Sequence, residues 1–140
     1  MLRKVDHIGI AVRSLEEAIR FYGPALGLDV VRIEEVPEQR TRVAILPIGE
    51  SRIELLEGTD KDSPVARSIG ARGEGLHHLC FQVNNLEGEL ARLREAGVRL
   101  VDGYPRKGAG GCLVAFIHPS SASGVLIELS QPAEDGETEG

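Results

Sequence analysis

The chain repeats itself once. Asp6-His7-Ile8-Gly9-Ile10-Ala11-Val12, near the start, is answered by His77-His78-Leu79-Cys80-Phe81-Gln82-Val83 beyond the midpoint. Sliding the sequence by roughly 71 positions places His7 on His78, Val12 on Val83, Leu15 on Leu86 and Glu16 on Glu87. A small insertion in the second half then lets Ile53-Glu54-Leu55 meet Ile127-Glu128-Leu129. Two copies of this length are too few, and each is too long, for a solenoid. They fit a pseudo-symmetric fold of two modules, over about residues 4–58 and 75–131. A length of 140 residues is that of one domain, here expected over 1–131.

Both modules read as strand, helix, then three strands, an α+β pattern. In the first, residues 5–12 form a strand, and Ser14-Leu15-Glu16-Glu17 is a capping box that opens a helix. Leu15, Ala18, Ile19 and Tyr22 recur at helical spacing, and Gly27 is the stop. Strands are expected over 28–36, 41–47 and 52–56. Ser63-Pro64 opens a short helix, with Pro at its first position, and residues 73–75 link the modules. In the second, residues 77–83 form a strand and Asn85 caps a helix carrying Leu86, Leu90 and Leu93, which Gly97 ends. Residues 98–101, 112–118 and 125–129 supply its strands. Gly108-Ala109-Gly110-Gly111 reads as a flexible loop, and the Glu/Gly-rich residues 132–140 as a disordered acidic tail.

Side chains alternate across a strand. His7, Gly9 and Ala11 therefore share one face, and Ile8, Ile10 and Val12 the other. In the repeat, His78, Cys80 and Gln82 share a face that excludes His77, Leu79, Phe81 and Val83. The aliphatic face needs a helix to cover it, whereas the small and polar face suits a cavity. Alternation thus selects His78 over His77 as the inward residue. Glu54 and Glu128 likewise oppose their apolar neighbours. A carboxylate turned into an interior is costly unless paired or bound to a metal. Two His and two Glu at symmetry-related places point to one divalent metal site held by His7, Glu54, His78 and Glu128.

Nitrogen and oxygen donors in this number suit Co, Mn, Ni, Zn or Fe. Four ligands leave two positions of an octahedral ion open, and open positions imply catalysis. Other chemistries find little support. There is no G-x-S-x-G elbow, neither Cys80 nor Cys112 has a motif around it, and the glycines at 108, 110 and 111 lack Walker spacing. A net charge of -6 with 4% aromatic residues argues against nucleic acid. Two cysteines, no signal peptide and no long apolar run make a cytoplasmic protein without membrane contact the expectation.

These segments resemble the vicinal oxygen chelate superfamily, also called glyoxalase/bleomycin-resistance/dioxygenase proteins, over about residues 2–131. Within it the chain is most similar to the epimerases of methylmalonyl-CoA. The resemblance is carried by the two His strands together with Pro37-Glu38-Gln39, Ile53-Glu54-Leu55-Leu56-Glu57 and Asp62-Ser63-Pro64. Gly75-Leu76-His77-His78, the Gly108–Gly111 loop, His118-Pro119 and Gly124-Val125-Leu126-Ile127-Glu128-Leu129 complete it. It implies paired βαβββ modules forming an open eight-stranded barrel-like sheet around a divalent metal, with His7, Glu54, His78 and Glu128 as ligands.

The activity implied is interconversion of (R)- and (S)-methylmalonyl-CoA by C2 proton abstraction through a metal-stabilised enolate. Glu128 is the base that the resemblance implies. A second base stands in some relatives just after the Pro-Glu-Gln segment, but that stretch reads Arg40-Thr41-Arg42-Val43-Ala44 here, without an acid. The expected partner is an acyl-CoA thioester, with contacts at Gln39, Arg106, Lys107, Gly110 and Gly111, and a homodimer is the expected assembly. Two alternatives stand beside this reading, and retention of all four ligands argues against the second. One is a lactoylglutathione lyase or other metal enzyme of the superfamily, and the other a metal-free binding or resistance protein.

Overall fold

The structure, a computed structural model, describes residues 1–133. The tail expected to be disordered lies outside them, apart from Pro132 and Ala133. Contacts divide the chain into two compact units. One is His7–His77; the other joins Met1–Asp6 to the chain from His78 onward. The boundaries thus fall inside the two His strands rather than in the glycine linker.

The first unit holds part of β1 (Leu2–Ala11), then α1 (Leu15–Arg20), β2 (Arg32–Val36), β3 (Thr41–Ile48), β4 (Ser51–Gly58) and α2 (Pro64–Arg72). Its strand order is β2-β3-β4-β1. The two hairpins β2–β3 and β3–β4 are antiparallel, whereas β1 lies parallel to β4, with Gly9 opposite Glu54. A parallel pair needs a crossover, and α1 supplies it. The Ser14 hydroxyl accepts from the Glu17 amide at 3.2 Å, so the expected cap forms. Beyond Arg20 the helix widens into a π-helical turn over Phe21–Ala25, which contains Pro24. Proline has no amide to continue an α-helical ladder, so the wider turn is a physical outlet for it.

α1 covers the apolar face. Leu15, Leu46 and Leu55 are fully buried there with Val12 and Ala44. Burial of each such Leu contributes about 2 kcal/mol. Leu28 and Val30 pack against the same cluster. Val31 donates its amide to the Ile45 carbonyl at 3.0 Å, and β2 begins at Arg32 instead of at 28 as expected. β4 runs on to Gly58, where a Cβ would stand 2.1 Å from the Ser63 hydroxyl. Only glycine admits the start of α2 so closely, and the Ser63 hydroxyl accepts from the Ala66 amide at 2.9 Å.

The second unit repeats the plan with β5 (Gly75–Val83), α3 (Leu86–Glu95), β6 (Arg106–Lys107), β7 (Leu113–Ile117) and β8 (Ile127–Gln131). Its order is β5-β8-β7-β6, again with one parallel pair, β5 with β8, in which Cys80 faces Glu128. Asn85 caps α3 through its side-chain oxygen on the Gly88 amide at 3.1 Å. Val83, Leu86, Leu90, Ala115 and Leu129 form the buried cluster beneath that helix. One expectation fails. Residues 98–101 form no strand but a single bridge, Leu100 to Ile117, in a stretch bounded by Gly97 and Gly103, which both hold positive φ. The third strand is the short β6 instead. The 108–111 loop is built around a 3-10 turn over Ala109–Gly111, with Gly110 and Gly111 at φ 72 and 80. Among the described residues no helix is long and apolar enough to cross a membrane.

Candidate metal centre

Strand register sets the inward face of each unit. In the first, His7, Gly9 and Ala11 of β1 lie beside Arg52, Glu54 and Leu56 of β4. Next come Thr41, Val43 and Ile45 of β3, then Arg32, Glu34 and Val36 of β2. Ile53, Leu55, Ala44 and Leu46 take the opposite face, under α1. The face assignment of His7 and Glu54 made from alternation therefore holds.

His7 and Glu54 meet. The His7 Nε2 atom lies 3.4 Å from Glu54 Oε1, and both side chains are about 95% buried. The second carboxylate oxygen is engaged separately: Arg52 donates to Oε2 from Nη2 at 2.9 Å and from Nε at 3.3 Å. The same Nη2 stands 3.4 Å from His7 Nδ1. A buried carboxylate would be costly in isolation, and the guanidinium offsets that cost with charge-assisted hydrogen bonds. Arg52 was not singled out from the sequence. The signal was there, because a residue two positions before Glu54 shares its face.

The second unit builds the matching pair with different neighbours. His78 Nε2 lies 2.9 Å from Glu128 Oε1, both side chains being buried. In place of an arginine, Phe116 stands edge-on to the His78 ring, with centroids 6.1 Å apart at 83°. Phe116 is the β7 residue in register with Glu128, so β7 and β8 together fix the pair. His77 is partly exposed, as alternation required.

The spacing suits metal ligation. Ligand bonds of about 2.1 Å place neighbouring donors ~3.0 Å apart in an octahedron and ~3.4 Å apart in a tetrahedron. The His–Glu separations of 3.4 and 2.9 Å fall in that range. An imidazole with a carboxylate is also the donor mix that first-row divalent ions favour over hard cations such as Mg or Ca.

The expected substrate residues fall in both units. Gln39 ends the 3-10 turn over Pro37–Gln39, and its backbone carbonyl accepts from the Thr41 hydroxyl at 2.8 Å. Arg106 pairs in register with Val114, which shares the face of Phe116 and Glu128, whereas Lys107 pairs with Leu113 on the helix-covered face. The two adjacent cations thus point to opposite sides of the strand. Arg106 is held by Asp102 at 2.7 Å and lies over the Tyr104 ring at 5.2 Å. Gly110 and Gly111 form the turn beside it.

Comparison with known proteins defines the class. A family model described as Glyoxalase/Bleomycin resistance protein/Dioxygenase superfamily matches residues 6–116, and the chain belongs to that superfamily. The uncharacterized Bacillus subtilis protein YqjC is 42% identical over 99% of both chains. The ethylmalonyl-CoA/methylmalonyl-CoA epimerase of Cereibacter sphaeroides is 35% identical, over 94% of this chain and 99% of its own. A variant of Streptomyces coelicolor methylmalonyl-CoA epimerase, solved in complex with 2-nitronate-propionyl-CoA, superposes with a TM-score of 0.92 at 37% identity. That match covers 96% of this chain and all of the other.

Proposed function

We propose that this protein is an isomerase that interconverts the C2 epimers of methylmalonyl-CoA, using His7, Glu54, His78 and Glu128 to hold one divalent cation. The observation that carries the reading is the pair of buried His–Glu couples, 3.4 and 2.9 Å apart, each set by a parallel strand pair. Support comes from full-length similarity to an epimerase of ethylmalonyl-CoA and methylmalonyl-CoA, and from likeness to an epimerase that holds an acyl-CoA analogue.

The C2 proton of methylmalonyl-CoA lies between a thioester and a carboxylate and is acidic for a C–H group. Its removal leaves an electron pair shared with the thioester oxygen. A bound divalent cation would supply electrostatic stabilisation to that developing charge. The donor set suits Co, Mn, Ni or Zn. Glu128 takes the role of base at C2, and its buried strand position holds it in one orientation. Arg106, on the same face of its unit as Glu128, serves the anionic CoA end.

Two measurements test this reading. Metal-loaded enzyme given one epimer in D2O should incorporate deuterium at C2 and erase chirality, with no redox cofactor added. Turnover of the methylglyoxal–glutathione adduct, with neither effect on the CoA ester, would assign the chain to the lyases instead. Arg106→Ala should raise KM for the CoA ester about tenfold while kcat stays within a factor of about two, because phosphate contacts bind ground and transition state alike. The KM effect should shrink as salt is raised. An unchanged KM at low salt would remove Arg106 from the site.

A further inference from the structure

Inverting a carbon centre needs two proton-transferring groups. A single carboxylate that removes the C2 proton returns it to the same face, and the configuration survives. A second group must deliver a proton from the other side. The stretch after Pro37-Glu38-Gln39 holds no acid that could do so.

We propose that Glu34 is that second group, an inference that rests on the epimerase reading above. The inward face of the His7–His77 unit settles which acids can qualify. Its strand positions run through Arg52 and Glu54 of β4, Val43 and Ile45 of β3 and Arg32 and Glu34 of β2, and two of the residues on that face are carboxylates. Glu54 is the ligand expected beside His7, which leaves Glu34. The other strand acids are turned away. Glu35 and Glu57 both stand opposite Arg42 on the reverse face, and Glu57 is ion-paired to it at 3.0 Å. Glu38 is exposed in the turn beyond β2.

The place of Glu34 is also right for reach. It pairs in register with Val43, the inward residue at the centre of the acid-free stretch. The acid missing from β3 is thus supplied by the neighbouring strand on the same face. Glu34 lies two strands from β4 and two residues further along. With strands ~4.8 Å apart and a rise of ~3.3 Å per residue, its Cα is ~12 Å from that of Glu54. The Glu34 side chain and a short acyl group bridge that span toward an ion held at Glu54. The carboxylate is neither sealed off nor adrift: its side chain is 29% exposed, and Oε1 is 3.3 Å from the Arg32 guanidinium on the same face. In the reaction, the C2–H bond breaks toward one carboxylate and the electron pair moves to the thioester oxygen. A proton from the other carboxylic acid then forms the new C2–H bond, so no further reactant is needed.

The test treats each epimer separately in D2O with metal-loaded Glu34→Gln, Glu34→Asp and wild type. Glu34→Gln should epimerise at least 100-fold more slowly than wild type. It should still exchange the C2 proton of one epimer with retention and fail to exchange the other. Glu34→Asp should recover part of the lost rate. Epimerisation by Glu34→Gln within threefold of wild type would overturn the assignment. So would an equal loss of exchange from both epimers in a variant that still binds metal, since that marks a structural role. A wild type inert toward both epimers would overturn the epimerase reading itself, and this inference with it.

Discussion

His78→Ala should lose stoichiometric metal and about 10³-fold or more in kcat/KM for epimerisation, whereas His77→Ala should retain both. The two residues are neighbours in sequence and differ in face: His78 is buried against Glu128 at 2.9 Å, while His77 is partly exposed on the other side of β5. The rate estimate follows from charge stabilisation of several kcal/mol by a cation, at 1.36 kcal/mol per factor of ten. Removing the imidazole also leaves Glu128 buried beside a void, at a cost of about 1–3 kcal/mol. Circular dichroism should therefore accompany elemental analysis, to show that a folded protein has lost its ion. Equal metal loss in the two variants would overturn the face assignment.

Glu128→Gln should separate ligation from proton transfer. The amide keeps an oxygen where Oε1 now stands and keeps the size of the side chain, so the variant should fold and retain some metal. It cannot accept the C2 proton, so exchange of at least one epimer should fall by about 10²–10⁴-fold. Metal content by mass spectrometry and C2 deuteration by NMR, on the same sample, supply the two readouts. A variant that keeps both metal and wild-type exchange would release Glu128 from any part in proton transfer. If Glu128 and Glu34 are the two proton-transferring groups proposed, the two substitutions should spare exchange in opposite epimers.

What could be read from the sequence was whatever obeys a local period. The inward turn of His7, Glu54, His78 and Glu128 follows from alternation with their aliphatic neighbours, and the strands and buried clusters bear it out. The caps at Ser14, Ser63 and Asn85 were legible because a capping side chain answers an amide three residues on. Strand starts were less so. The start of the 28–36 stretch looks the same in sequence whether its residues pair or pack under a helix, and the packing of Leu28 and Val30 against the α1 cluster decides it. Arg52 shares the face of Glu54 by local alternation, but its contact with His7 and the place of Glu34 are of another kind. Each matters through a neighbour across the sheet, and register between distant strands is a long-range outcome that no window of sequence contains. Arg106 and Lys107 part for a simpler reason: both lie in the short strand β6, where neighbours alternate faces.

The parallel pairing of β1 with β4 has a consequence for how the protein comes to be competent. The hairpins β2–β3 and β3–β4 close through short turns, but His7 and Arg52, opposite each other in register, are roughly 45 residues apart along the chain. The second half has the same arrangement in β5 and β8. Loop closure of that length is entropically dearer than a hairpin, so the hairpins form ahead of the central pairing. The donors meet only once that pairing is made. A chain with its hairpins in place and its central strands still apart holds His and Glu at random separations and has no chelating pair. Uptake of the proposed ion would then mark completed folding rather than aid its early steps.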